Sequence, residues 1–441
     1  MNDNIFDQKW SMVSLLRFAF PTIVMMIFMG LYTVVDTIFV ARFVHTDALS
    51  AINIVCPVIN MTVGLGTMIA TGGNAIVSRK IGEGKACEAK EDFTLLIIAA
   101  AVIGCVILII GTIWIDEIVY ALGASELLFS YCKDYLSVLF LFIPANMIQT
   151  VFSNLFVTAG KPGMGFGLSV FAGFANIVLD YVFIVICGLG ICGAALGTGC
   201  GYLIPTVAGI IFFKQSKGML SFTKPKWKWA VLKESCFNGS SEMVSQLATA
   251  VTTFLFNSTM MALLEEEGVA AITILIYSQF LLNTLYIGFS MGVAPVIGFH
   301  YGNKNNVRQK KVVQSCIGFI TVASLLVFAV SLFCGSYMVR LFAPETSNIY
   351  RIAAGGFSVF SYSFLFCGLN IFTSAMFTAL SNGKLSAILS FLRTFGLLTG
   401  GILLLPKLWG ITGVWLAVPA AEGIMFLVSA GCLVYDRAHM K

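Results

Sequence analysis

Five ionisable side chains in this 441-residue chain sit inside apolar stretches, and they are the residues most able to do chemistry. Asp36 lies in VVDTIFVAR and Asp180 in ANIVLDYVF; Glu242 lies in GSSEMVSQL, Arg393 in SFLRTFG and Glu422 in VPAAEGIM. A charge at the centre of a bilayer costs about 2.5–3.5 kcal/mol or more, so such groups face a bundle interior and default to function. A carboxyl there can exchange a proton or hold a hard cation. Its other use is as protonated glue between helices, worth about 1 kcal/mol. Asn176 stands four residues before Asp180, which puts both on one helical face. Glu242 and Glu422 fall near span ends that water can reach. Arg393 can snorkel to the interface or serve as counter-charge to Glu242. Glu265, Glu266 and Glu267 read as a solvated external loop.

Other constellations carry no chemistry. Gly188-Leu-Gly190-Ile-Cys-Gly193 fits the dinucleotide pattern GxGxxG, yet it follows an apolar helix where that pattern needs a strand. Gly193, Gly197 and Gly201 continue at four-residue spacing, a pattern for close helix contact. His45, His300 and His439 all read as loop or terminal residues, and the twelve cysteines show no metal spacing. Most of the cysteines lie in apolar stretches as small buried hydrophobes. Cys187 and Cys192 share a short loop in which a bridge stays open. No nucleophile or metal constellation marks an enzyme.

The elements that must position the acids are set by lipid. Charged residues are 11% of the chain and hydrophobic ones 58%, against about a quarter charged in soluble domains. Stretches of about twenty apolar residues, enough to cross a bilayer, recur throughout. The first follows a polar N-terminus without a basic n-region and is too long for a signal-peptide core, so it reads as a span. The reading is all-α and polytopic, with twelve transmembrane helices centred near Phe28, Leu65, Gly104, Met147, Ala175, Tyr202, Val251, Leu285, Ala323, Gly368, Phe395 and Ile424. One set of loops, with both termini, holds twenty of the 26 basic residues; the opposite set holds Arg42, Lys133, Arg340, Arg351 and Lys407. Basic loops stay cytoplasmic, so both termini are expected there. The net charge of +5 then reflects topology and gives no sign of nucleic-acid binding.

The chain also matches itself at an offset of 220 residues. Leu49, Ala51 and Ile52 meet Val269, Ala271 and Ile272; Gly82 meets Gly302; Phe152, Thr158 and Ala159 meet Phe372, Thr378 and Ala379. Gly190, Ile191, Gly193 and Leu196 meet Gly410, Ile411, Gly413 and Leu416. Six spans per copy is even, so the repeat is parallel, an arrangement suited to alternating access. The expected organisation is an N-terminal lobe over 1–212, a cytoplasmic linker over 213–229 and a C-terminal lobe over 230–441. The acids break the repeat. Asp36 faces Phe256, Asp180 faces Gly400 and Asn176 faces Gly396, while Glu242 faces Thr22 and Glu422 faces Tyr202.

These residues resemble the multidrug and toxic compound extrusion (MATE) family, in particular its MepA-type branch, over nearly the whole chain. The resemblance rests on VVDTIFVAR with Pro21 fifteen residues before Asp36, on GGNAIVSRKIGEGK, ANIVLDYVF, GAALGTGCG, GSSEMVSQL and YGNKN. It implies a cation site of Asp36, Asn176, Asp180 and Thr198, and a first helix that bends near Pro21 as the site changes state. Carboxylate, amide and hydroxyl oxygens are hard ligands that can hold Na⁺; the same groups can exchange a proton, and the motif does not separate the two. Some members use acids on the seventh and tenth helices. Here Glu242 matches the former approximately, and the tenth span has no acid.

The function this implies is export of lipophilic organic cations by H⁺ or Na⁺ antiport from a bacterial or archaeal cytoplasmic membrane, by a monomer without further cofactor. Asn60, Gln149, Asn154, Gln246, Gln279, Asn283 and Asn370 are candidates to line the cleft, with Glu242, Arg393 and Glu422 as second-lobe candidates. Abundant Phe and Met suit flat cations through cation–π and adaptable contacts. A flippase for a lipid-linked sugar would need several intramembrane bases for its diphosphate, and Arg393 stands alone. An integral-membrane enzyme is the remote alternative. The loop charges make a direct expectation. Cysteine-accessibility labelling should find residue 305 on the cytoplasmic side and residue 266 outside, and the reverse at both would overturn the orientation.

Overall fold

The computed structural model describes residues 5–439 apart from 9 and 45, with the backbone alone at 34–42, 46, 47, 49 and 439. No strand occurs among the described residues. In lipid every backbone polar group must be satisfied within its own segment, which is why a chain of this composition folds as helices. α1 (Met12–Phe43) and α2 (Thr46–Gly82) are followed by α3 (Ala86–Ile113), a short α4 (Ile115–Ala121) and α5 (Glu126–Thr158). α6 (Pro162–Asp180) is extended by a π-helical segment, Tyr181–Ile186, and α7 (Gly190–Gln215) ends the first lobe. After a non-helical stretch, α8 (Trp229–Asn238) leads into α9 (Ser240–Gly302), then α10 (Asn306–Arg340). α11 (Asn348–Phe360) runs through a 3₁₀ turn into α12 (Phe364–Ala379). α13 (Gly383–Phe391), a π-helical segment Leu392–Leu398 and α14 (Thr399–Trp409) form one span, and α15 (Ile411–His439) is the last.

Eleven helical stretches among the described residues are long and apolar enough to cross a bilayer. One of them, α9, has 63 residues and departs from helical geometry at Leu264 and Glu265 (φ 53°, ψ −144°). It therefore comprises two spans, which brings the number to twelve. All twelve centres read from the sequence fall inside these helices. The cysteines are free, Cys187 and Cys192 included.

The two lobes meet most closely at the end that carries the basic loops. A Cβ added at Gly82 of α2 would collide with the Phe299 carbonyl, whose carbon lies 2.9 Å from it; one added at Gly302 of α9 would collide with the Arg79 carbonyl, with its carbon at 2.8 Å. These positions are repeat mates: 82 and 302, 79 and 299. The crossing is thus reciprocal, and each side needs a residue without a side chain. Further along, Gly72 abuts Ser235, Gly239 abuts Met68, and Gly292 and Gly288 abut Ala19 and Ile23 of α1.

Polar contacts tie the same end. Arg79 donates to Glu234 of α8 at 2.8 Å, and Ser235 Oγ donates to the Ile69 carbonyl at 3.1 Å. Asp92, fully buried in the first turns of α3, is neutralised by Lys80 at 2.5 Å, with Lys228 of the inter-lobe stretch at 3.9 Å. Phe6 is buried between Phe18 and Phe299, and Asp7 pairs with Arg308. The N-terminal turn therefore bridges α1, α9 and the start of α10.

Ser78 is fully buried beside Gly298 in this crossing. A Cys placed at Ser78 should resist thiol reagents in the parent. It should become reactive in the Gly82→Val background, where the two backbones are forced apart. Equal protection in both would show that the glycine crossing does not hold this end shut.

Candidate functional site

The first-lobe residues converge because α6 and α7 pack through glycine. Asn176 and Asp180 are each about 1% exposed and lie one turn apart on α6. Opposite them α7 presents Gly197 and Gly201. A Cβ at Gly197 would fall on the Asp180 carboxylate, whose Cγ is 2.9 Å away, whereas one at Gly201 would meet the Asn176 Cβ at an ordinary 3.5 Å. The GxxxG-type spacing is therefore a helix contact, and at Gly197 it also makes room for a carboxyl group. Neither the amide nitrogen nor the oxygen of Asn176 has a hydrogen-bond partner among the described residues, although both are buried. Buried polar atoms are paired in the great majority of cases, so an unpaired amide beside a carboxylate marks a place where a ligand would complete the set. Thr198, next to Gly197, is half-buried.

The donors present (carboxylate, amide oxygen, hydroxyl) fit Na⁺ or a proton in kind. Asp180 sits about 10 Å from the end of the bundle opposite the basic loops, counted as seven residues from the start of α7 to Gly197 at 1.5 Å each. Asp36 lies on α1, but its side chain is outside the described residues. Pro21 lies within α1, where the helix continues through it. It removes the bond to the Arg17 carbonyl and leaves a point of weakness.

The second lobe gathers a different set. Arg393 turns inward, away from the interface and away from Glu242. It donates to one oxygen of Glu422 from Nε at 2.8 Å and from Nη2 at 2.7 Å. The other oxygen of Glu422 accepts from Asn370 Nδ2 at 2.7 Å, and the same nitrogen donates to the Glu422 carbonyl at 3.0 Å. Asn283 accepts from Cys367 at 3.3 Å alongside. Glu422 is only 5% exposed, so its counter-charge is internal and water near a span end does not supply it. Glu242 stands apart from this cluster. It is half-buried in the first turn of α9, one residue before Met243, which packs with Gln246 against Gly64 across the lobe boundary.

The remaining candidates scatter. Asn60 donates to Cys56 at 3.6 Å and Asn154 to the Thr150 carbonyl at 3.2 Å, both within their own helices. Gln149 and Gln279 are half-buried. His300 departs from its reading as a loop residue. It lies in the last turn of α9, fully buried beside Phe299, with neither ring nitrogen hydrogen-bonded among the described residues. His45 and the His439 side chain lie outside the described residues. Sequence reasoning also passed over Asp92, and the signal was there: an acid one turn from Glu88 facing a Lys-rich loop.

Comparison with known proteins places the chain. The MatE family model matches residues 21–182 and again 243–399, one stretch in each lobe. The multidrug export protein MepA of Staphylococcus haemolyticus is 25% identical over 99% of this chain and 97% of its own length. MepA of Staphylococcus aureus strain MRSA252 is 23% identical over 98% and 95%. Among solved structures, one described as the outward-facing conformation of a multidrug resistance MATE family transporter of the MOP superfamily superposes with a TM-score of 0.91 at 21% identity, over 97% of this chain and 96% of that one. A MOP superfamily transporter from Pyrococcus furiosus, described as having a binding pocket of reverse polarity, gives a TM-score of 0.90 at 21% identity over 98% and 97%. At those identities the two structures speak to the fold alone.

The glycine geometry makes a paired expectation. Gly197→Ala should lower the thermal stability of the purified protein by about 1–3 kcal/mol through overpacking against Asp180. Gly201→Ala, on the same face and one turn away, should stay within about 0.5 kcal/mol. Equal effects at the two positions would mean that Asp180 does not press on Gly197.

Proposed function

The chain belongs to the MatE family of multidrug efflux transporters, and from that premise we propose that it exports organic cations by antiport with H⁺ or Na⁺, coupled through the first lobe. The observation that carries the reading is the buried Asn176–Asp180 face on α6, with an unpaired amide beside a carboxylate. Asp36 is the proposed second carboxylate and Thr198 a further oxygen. Two carboxylates close together in a low dielectric cannot both ionise easily, so the pair takes up one cation readily.

In this proposal a proton or Na⁺ enters from outside, neutralises the pair and favours the packing of the first lobe that releases drug outward. The drug cannot return until the cation has left on the inside. The membrane potential supplies about 2.3 kcal/mol per charge per 100 mV for that step. The tight crossing of α2 and α9 at the basic end supports a state closed to the cytoplasm, with access from the other side. Bending of α1 at Pro21 is the proposed means by which the neutralised site moves the first lobe. Glu242 is the proposed contact for the positive charge of the substrate, since it is half-buried and lies beside the lobe boundary. The flippase reading loses its one intramembrane base, because Arg393 is already held by Glu422.

Gradient-driven efflux of ethidium from proteoliposomes tests the reading, with H⁺ and Na⁺ gradients imposed separately. Asp180→Asn and Asp36→Asn should each reduce efflux to background with normal expression. The double variant should be little worse than either single one, as expected of residues in one network. Full activity in either single variant would sink the coupling role.

A further inference from the structure

Arg393 and Glu422 of the second lobe take no part in that cycle, yet their placement repeats that of the first-lobe site. Arg393 is the eleventh residue of its span and Glu422 the twelfth of α15. At 1.5 Å per residue each lies about 15–17 Å deep, near the middle of the hydrocarbon. The helices that hold them, α13–α14 and α15, are the repeat mates of α6 and α7, which hold Asn176, Asp180 and Thr198. Residue 396 is the counterpart of Asn176, and Arg393 falls three residues before it. Residue 418 is the counterpart of Thr198, and Glu422 falls four residues after it. The two helices run in opposite directions, so both displacements lead the same way, about one turn towards the basic end. A π-helical segment accompanies each pocket: Tyr181–Ile186 directly after Asp180, and Leu392–Leu398 around Arg393. Such segments are rare and appear often at functional sites.

The two pockets differ in what neutralises the acid. In the first lobe Asp180 stands with an amide that has no partner among the described residues. In the second, Glu422 stands with Asn370, and a guanidinium fills the space between the carboxylate and the neighbouring helix. Two of its N–H groups converge on a single oxygen. Arg remains charged at any physiological pH, so this occupant does not leave by losing a proton.

We propose that the second lobe contains a monovalent-cation pocket built from the Glu422 carboxylate and Asn370, and that the Arg393 guanidinium is its permanent, tethered occupant. Removing the tether vacates a site for a free guanidinium or alkylguanidinium ion. On the coupling reading given above, which this consequence rests on, the filled pocket leaves one exchangeable cation per cycle, in the first lobe.

The test is a thermal-unfolding titration of purified protein in detergent, with guanidinium or methylguanidinium at up to 10 mM, far below denaturing concentrations. Arg393→Ala should be stabilised saturably, by about 2 °C or more. The parent protein and the Arg393→Ala/Glu422→Gln double variant should not respond. A guard against a variant that fails to fold is Arg393→Gln, which keeps most of the volume and adds an amide oxygen; there Na⁺ replacing choline is the expected stabiliser. No stabilisation of either variant by its cation, or an equal response in the parent, overturns the proposal. Neither titration uses a gradient, Asp36 or Asp180, so its outcome is independent of whether the first lobe couples transport.

Discussion

The constraint on which the rest depends is that a charge in hydrocarbon must be neutralised by something the protein itself positions. Water does not do it there, and the cost of failure is several kilocalories per group. The chain meets this constraint in three ways. At the basic end Asp92 is answered by Lys80, and Arg79 by Glu234, within reach of the interface. At mid-depth Glu422 is answered by Arg393. Around Asp180 the neighbouring amide of Asn176 has no partner among the described residues, and that is where the proposed exchangeable ion would bind.

Glycine is the means by which these groups come together. Helices with side chains at every position pack about 8–10 Å apart. At the pairs that matter here a bare Cα stands at the point of contact, where a side chain would collide with the neighbouring helix. Gly197 admits the Asp180 carboxyl between α6 and α7, and Gly82 and Gly302 let α2 and α9 cross backbone to backbone. The last pair are repeat mates in mirrored contacts, so the symmetry of the duplicated sequence is expressed directly as symmetry of the lobe boundary. The two lobes share a backbone design even where they share few side chains.

Much of the architecture was legible because lipid imposes a coarse code. Length and hydropathy locate all twelve helices, and the offset of 220 residues relates the lobes. The candidate site was legible only in part. Periodicity puts Asn176 and Asp180 on one face, but which helix lies opposite comes from packing. Arg393 shows the limit most clearly. Its place in the sequence suggests a route to the interface or a pairing with Glu242, and the fold makes neither: its partner is Glu422. The choice belongs to the approach of α15, 29 residues further on in chain order at Glu422. His300 shows the same limit from the other side: a residue just before the polar run YGNKN reads as a loop, while the reciprocal glycine crossing draws the last turn of α9 into the core.

An internal duplication that began with equivalent lobes would have offered two places for a cation between the same pair of helices. A transporter with two such places faces a stoichiometric problem, since each cation moved spends membrane potential and each empty site in hydrocarbon is unstable. Filling one pocket with a guanidinium resolves both difficulties at once, because the lobe remains neutral and packed whatever the ionic conditions. It also divides the labour. A lobe whose acid is permanently paired can serve as a rigid body. A first lobe coupled through Asp180, as proposed, would have two charge states and hence two preferred packings. The asymmetry in side chains between Asp180 and Glu422 is therefore what would give a symmetric pair of bundles a direction.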